Sequence, residues 1–192
     1  MNPDLWLFHM LNDFVGTIPV LDWIMRALVN DYAIPTALSL AAVWLWFAGD
    51  SEEERTRNRR AVIFIALGIL FSQALIKDMQ QYYFRPRPFA TETVKLLFYR
   101  PSVSSFPSIP IAVAFTFAAG AWYGDKRVAK FLIVLGVLYA LARVYAGVHY
   151  PSDVMGGAVI GAGIVYIIVR LHFVFEPLAD LAIRLARRLS FA

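Results

Sequence analysis

The run Arg143-Val144-Tyr145-Ala146-Gly147-Val148-His149-Tyr150-Pro151-Ser152-Asp153 sets an arginine, a histidine and an aspartate six and four residues apart. Upstream stand Arg85-Pro86-Arg87-Pro88 and Phe106-Pro107-Ser108-Ile109-Pro110. Guanidinium groups are permanently charged planar forks that match phosphate oxygens, so Arg87 and Arg143, with Arg85 as a third, point to an anion. Pro86 and Pro88 stiffen the backbone that carries the first two. Ser108 opens a long apolar run, and at a helix start free N–H groups and the dipole favour an anion. Pro151 is a good first helical residue, which puts Asp153 in a first turn, close enough to orient His149. A histidine with a carboxylate behind it and arginines in front is a nucleophile toward phosphorus, or a general base. This chemistry asks for no metal and no cofactor. The histidines are His9, His149 and His172, with no carboxylate cluster beside them. His9 and His172 read as interfacial, without a catalytic part.

Taken singly, each feature has a plainer reading. Arg-Pro-Arg-Pro is often a surface loop, Arg143 could snorkel to an interface, and a lone histidine is more often structural. Their meaning depends on elements that bring them together. The chain has 192 residues and is 59% hydrophobic, which suits a polytopic membrane protein better than a soluble domain. Four segments read as spans: Tyr32–Gly49, Ala61–Ile76, Pro101–Gly124 and Val154–Val169. A fifth, Phe131–Ala142, becomes long enough if it runs on through Arg143 to Val148. The expectation is one domain over residues 1–192, an all-α bundle of five to six transmembrane helices with interfacial N- and C-terminal helices. Residues Asn2–Asn30 suit an amphipathic interfacial helix, not a cleavable signal peptide. The stretch from Ile18 into Tyr32–Gly49 reads as one longer helix kinked at Pro35. The tail Leu178–Ala192, with Arg184, Arg187 and Arg188, reads as a helix on an anionic lipid surface or as an ordinary arginine-rich terminus.

Alternating spans place Arg55, Arg57, Arg59 and Arg60, then Lys126, Arg127 and Lys130, and then the tail arginines on one side. The positive-inside rule assigns that side to the cytoplasm and puts the three motifs on the outer face. The net charge of +4 is dispersed over loops and tail, so it forms no groove-sized basic face for nucleic acid. The chain has no cysteine, which removes disulfides and thiolate metal sites.

At these residues the sequence resembles the type 2 phosphatidic acid phosphatase superfamily of membrane lipid phosphatases. Within it, the sequence is similar to the bacterial undecaprenyl-pyrophosphate phosphatases of the bacitracin-resistance type. The resemblance runs over nearly the whole chain and rests on Arg-Pro-Arg-Pro-Phe, Ser-Phe-Pro-Ser and the segment from Ala142 to Asp153. It implies a phosphate-accepting nucleophile at His149, support for it from Asp153, and phosphate binding by Arg143, Arg87 and Ser108. It also implies a lipid phosphate or pyrophosphate substrate and a multi-pass protein of the bacterial inner membrane with an outward-facing site. The sequence departs from the family at three places. Gln80 stands where the first motif has lysine, with Lys77 one turn earlier as a further candidate. Ala142 replaces a serine. Ile109-Pro110 replaces the end of the second motif, whose histidine is the family's general acid.

Two readings stay open. One is a phosphatase acting on an isoprenoid pyrophosphate through a phosphohistidine. Its leaving group, a phosphate monoester, is far less basic than an alkoxide and can depart without a proton, helped by arginines. The other is a pseudoenzyme that binds a lipid phosphate or serves as a subunit of a membrane complex; a homo-oligomer is a further expectation. A transporter has weak support, since no matched pair of Gly/Pro-broken helices recurs in two halves.

Overall fold

The computed structural model describes residues 2–188, which contain helices and loops and no strand. The helices are α1 (Pro3–Asn12), α2 (Pro19–Val29), α3 (Ala33–Phe47), α4 (Glu52–Tyr82), α5 (Pro88–Thr91), α6 (Ile109–Tyr123), α7 (Lys126–Tyr145), α8 (Pro151–Arg170) and α9 (His172–Arg188). Among the described residues, α4, α7 and α8 are each long and apolar enough to cross a membrane, and α2 with α3 passes as one span bent by 53°. By length and composition that marks three or four candidate spans, short of the expected five to six. The next candidate, α6, is apolar but has 15 residues. At 1.5 Å per residue it is about 22 Å long, short of a hydrocarbon core of about 30 Å.

Two boundaries differ from expectation, for local reasons. The bend between α2 and α3 falls at residues 30–32, not at Pro35. Asn30 Oδ1 accepts from the N–H groups of Tyr32 and Ala33 at 2.8 and 3.2 Å and so starts a new helix. Pro35 then lies in the first turn of α3, where its missing N–H costs nothing. The expected span Pro101–Gly124 becomes helical only at Ile109. Pro101 and Pro107 break the run, and residues 101–108 form a loop over the end of the bundle.

α6 lies at the centre, packed against α4, α7 and α8, and its faces are lined with alanine. Gly157 and Gly161 of α8 meet it so closely that a Cβ at either would collide with α6 backbone at Ser108 or Ala112. Small residues give two helices this approach in a membrane, where backbone proximity rather than hydrophobic exclusion drives association. The outer faces carry exposed apolar side chains such as Leu40, Leu70, Val134 and Val159. In α4, Ser51 caps the N-terminus by accepting from Glu54 N–H, and Glu52–Glu54 sit at the positive end of the dipole. Its 31 residues carry it from the basic residues Arg55–Arg60 at one end to Gln80 beside the second motif.

The terminal helices are tied to the bundle. Asn12 of α1 is buried; its Nδ2 donates to the carbonyls of Lys95 and Tyr145, and its Oδ1 accepts from Lys95 N–H. In α9, Glu176 and Asp180 pair with Arg60 of α4 at 3.1 and 2.9 Å, while Leu178, Leu181 and Leu185 stay exposed. Residues 189–192 of the expected tail lie outside the described residues.

Candidate active site

His149 sits in the short connection between α7 and α8 and is 1% exposed. Its Nδ1 lies 3.0 Å from the carbonyl oxygen of Ser105. A carbonyl can only accept, so Nδ1 carries the proton and Nε2 the lone pair. That lone pair faces Arg87 Nη1 at 3.2 Å and Ser108 Oγ at 3.3 Å. Burial pushes the imidazole down to about 4, against the pull of Asp153, whose Oδ2 is 3.7 Å from Nδ1. His149 is therefore neutral at pH 7, with a nucleophilic nitrogen turned toward the cations.

Asp153 is completely buried at the third position of α8. Its Oδ2 accepts from Ser105 Oγ–H and from Tyr150 N–H, and its Oδ1 accepts from Arg85 Nη1 at 2.6 Å. Its main-chain oxygen accepts from Ser108 N–H at 3.0 Å, which joins the start of α8 to the start of α6. Asp153 is thus an anchor for Ser105, the residue whose carbonyl fixes the histidine tautomer.

The arginines separate into different roles. Arg87 is buried, and neutral carbonyls of Val103, Ser104 and Val148 hold its guanidinium. Carbonyls orient the fork without cancelling its charge. Burial and the neighbouring Arg143 lower Arg87 to about 10, the sign of a cation pair short of negative charge. Arg143, 4% exposed, lies over the rings of Tyr139 and Phe98 and donates to Val29 O and Asp31 Oδ1 at 3.3 and 3.4 Å. Its Nε is buried with no partner among the described residues. Both arginines line a cavity of about 390 Å³ together with Asp31, Tyr99, Ile109 and Pro110. Arg85 points elsewhere: Asp4, Ser152 and Asp153 take its guanidinium.

His149, Arg87, Ser108 and Asp153 thus form one hydrogen-bonded cluster, Arg143 lines the cavity beside Arg87, and Arg85 stands behind Asp153. Lys77 is exposed on α4. Gln80, in the family's lysine position, donates from Nε2 to the carbonyls of Pro107 and Phe106 at 3.2 and 3.5 Å, bracing the second motif instead of presenting charge. His9 pairs with Asp13 and His172 contacts the carbonyl of Val169, both away from the cluster. Sequence reasoning missed Ser105, Asp4, Asp31 and Tyr99. Ser105 lay within Ser-Phe-Pro-Ser and could have been flagged as a polar neighbour of the motif; the other three carry no local signal.

Comparison with known proteins shows the family and the fold. The PAP2 superfamily model matches residues 60–176. Undecaprenyl-diphosphatase BcrC of Bacillus subtilis (strain 168) is 29% identical over 167 residues, covering 86% of this chain and 82% of its own. YbjG of Escherichia coli (strain K12) is 30% identical over 166 residues, covering 83% and 78%. Among solved structures, Aquifex aeolicus LpxE superposes with a TM-score of 0.65 at 28% identity, over 86% of this chain and 94% of that one. The first transmembrane PAP2-type phosphatidylglycerolphosphate phosphatase from Bacillus subtilis has the same TM-score at 19% identity, over 90% and 87%, which speaks to the fold. With membrane-length apolar helices and membrane relatives in bacteria, this is a bacterial membrane protein, and the chain belongs to the PAP2 superfamily of lipid phosphatases.

Proposed function

We propose that the protein hydrolyses an isoprenoid pyrophosphate, of which undecaprenyl pyrophosphate is the expected example, through a phosphohistidine on His149. The observation that carries this reading is the orientation of His149: its proton is committed to the Ser105 carbonyl, and its lone pair faces Arg87 and Ser108. In the first step Nε2 attacks the terminal phosphorus, the P–O bond to the lipid phosphate breaks, and that oxygen keeps the electron pair. Arg87 and Arg143 gain most as charge develops on the transferring group. Ser108 contributes its hydroxyl, and Arg85 acts as a positioning residue through Asp153. A monoester leaving group suits a site in which Pro110 holds no proton to give. The charge bias of the loops supports an outward-facing site in the inner membrane.

The test is phosphate release from undecaprenyl pyrophosphate by purified protein, with His149→Ala as the control. Release that survives in His149→Ala would rule out this nucleophile. Ile109-Pro110 favours a second reading, a lipid-phosphate binder without turnover. Vanadate binding that depends on Arg143, combined with no phosphate release, would select the binder.

A further inference from the structure

The cavity in front of the two arginines has another wall. Asp31 lies in the break between α2 and α3, its side chain 36% exposed, and it lines the cavity together with Tyr99 and Pro110. Asp31 Oδ2 accepts from the Tyr99 hydroxyl at 2.8 Å, and Oδ1 lies 3.4 Å from Arg143 Nη1. These partners come from three separate parts of the chain, and they hold a carboxylate beside a phosphate-binding arginine with one edge open to the cavity.

A phosphohistidine at this site needs a second step, and the cavity limits who can assist it. Water must attack phosphorus in line, from the side opposite Nε2, the side from which the lipid phosphate departs. Arg87, which touches Nε2, also lines the cavity with Arg143, so the cavity is the open space beside the transferring group. A group there must take the water's proton. The arginines cannot accept one. The hydrogen bond to Asp31 raises the Tyr99 phenol above its ordinary value, so Tyr99 keeps its proton. Pro110 has no side-chain acceptor, and the Ser104 and Tyr139 hydroxyls are weak bases. Among the described lining residues Asp31 alone carries a carboxylate.

We propose that Asp31 is the general base that activates water for hydrolysis of the phosphohistidine, with Tyr99 as its positioning residue. The inference rests on the reading of His149 as nucleophile. The water oxygen forms a bond to phosphorus as the P–Nε2 bond breaks, and that bond's electron pair returns to Nε2. The proton passes to Asp31, hydrogen phosphate leaves, and Asp31 releases the proton to solvent through the open side of the cavity.

The experiment is rapid-quench kinetics of the purified full chain with farnesyl pyrophosphate labelled on its terminal phosphate, stopped in base to preserve phosphohistidine. The parent should form a labelled enzyme that is absent in His149→Ala. Asp31→Asn should form it at a rate within a few-fold of the parent and lose it roughly 10²–10⁴-fold more slowly, the usual worth of positioned base catalysis. Label should then accumulate toward one per site. Hydroxylamine, which attacks phosphorus without a base, should discharge the trapped intermediate, and Asp31→Glu should recover part of the turnover. Loss of labelling and turnover together in Asp31→Asn would overturn the proposal, because Asp31 would then act only through Arg143. Unchanged turnover would overturn it as well. Loss of vanadate binding in both Asp31 variants would reduce the residue to a structural part. A parent that turns over with no base-stable label would instead remove the phosphohistidine reading, a failure distinct from all of these.

Discussion

Arg85 and Arg87 are two residues apart and carry the same charge, yet their partners give them different work. Asp4 and Asp153 neutralise Arg85, whereas carbonyls and the neutral His149 imidazole hold Arg87, with no carboxylate against it. Arg87→Lys should therefore lower kcat/KM by about 10²-fold, the scale for losing one charge-stabilising donor, with the fold intact. Arg85→Ala leaves a buried carboxylate short of its cation and should cost on the order of 3 kcal/mol of stability, read as a lower melting temperature in detergent. His149 makes a pH prediction. Its folded value of about 4 lies below the unfolded one near 6.5, so between those limits the unfolded chain binds more protons. Stability from this group is present above about 6.5 and is lost as pH falls toward 4. The neutral nucleophile itself persists down to about 4, and ¹⁵N-histidine spectra should show His149 as a neutral Nδ1–H tautomer at pH 5.5. Pro110, which lines the cavity, sets a third test. The double change Ile109→Asp with Pro110→His should raise turnover of a lipid phosphate monoester by roughly 10²-fold, and that of a pyrophosphate by less, because only the monoester expels a strongly basic oxygen. Equal gains in initial rate on both substrates would contradict that assignment.

At the scale of elements, the α6–α8 contact decides whether the residues above can meet. Gly161 touches the backbone of Ala112, and at the same interface Ser108 N–H donates to Asp153 O. Gly161→Ala should push the helices apart at a cost of about 1–3 kcal/mol. Thermal unfolding would show the loss, and the phosphorylation rate should fall with it, because Ser108 and Asp153 separate. The helices were largely legible in the sequence: the apolar runs mark the cores of α3, α4, α7 and α8, and Pro151 marks the start of α8. The start of α6 was misjudged because residues 101–108 carry no charge and lead straight into an apolar run, while their prolines and serines fold back over the site. Arg143, His149 and Asp153 were legible because one short run holds them, and Arg87 and Ser108, 62 and 41 residues from His149, because each sits in a short motif of its own. The real partner of the His149 Nδ1 proton, the Ser105 carbonyl, was not, because main-chain groups carry no sequence signature. Asp31 and Asp4 were invisible for another reason: each reaches the site across more than a hundred residues in contacting Arg143 or Ser152, and no periodicity encodes such a meeting.

At the scale of the whole molecule, charge and topology make one more testable statement. The chain has no native cysteine, so single cysteines report topology without background. Thr93→Cys, in the loop beside the site, should react with a membrane-impermeant maleimide added to intact cells, and Glu53→Cys, at the opposite end of α4, should react only after permeabilisation. The reverse pattern would invert the orientation. The site also unites distant stretches of chain. Asp4 of α1 accepts from Arg85 and from Ser152, and Arg85 grips Asp153 in turn. Asp4 leaves the ribosome long before Ser152, and several apolar helices must be released into the bilayer between the two. Until α8 arrives, Arg85 lacks Asp153 and the histidine has no support. A chain stalled before α8 therefore holds Arg85 without Asp153 and His149 without the carboxylate behind it, so the cluster closes only when α8 is in place.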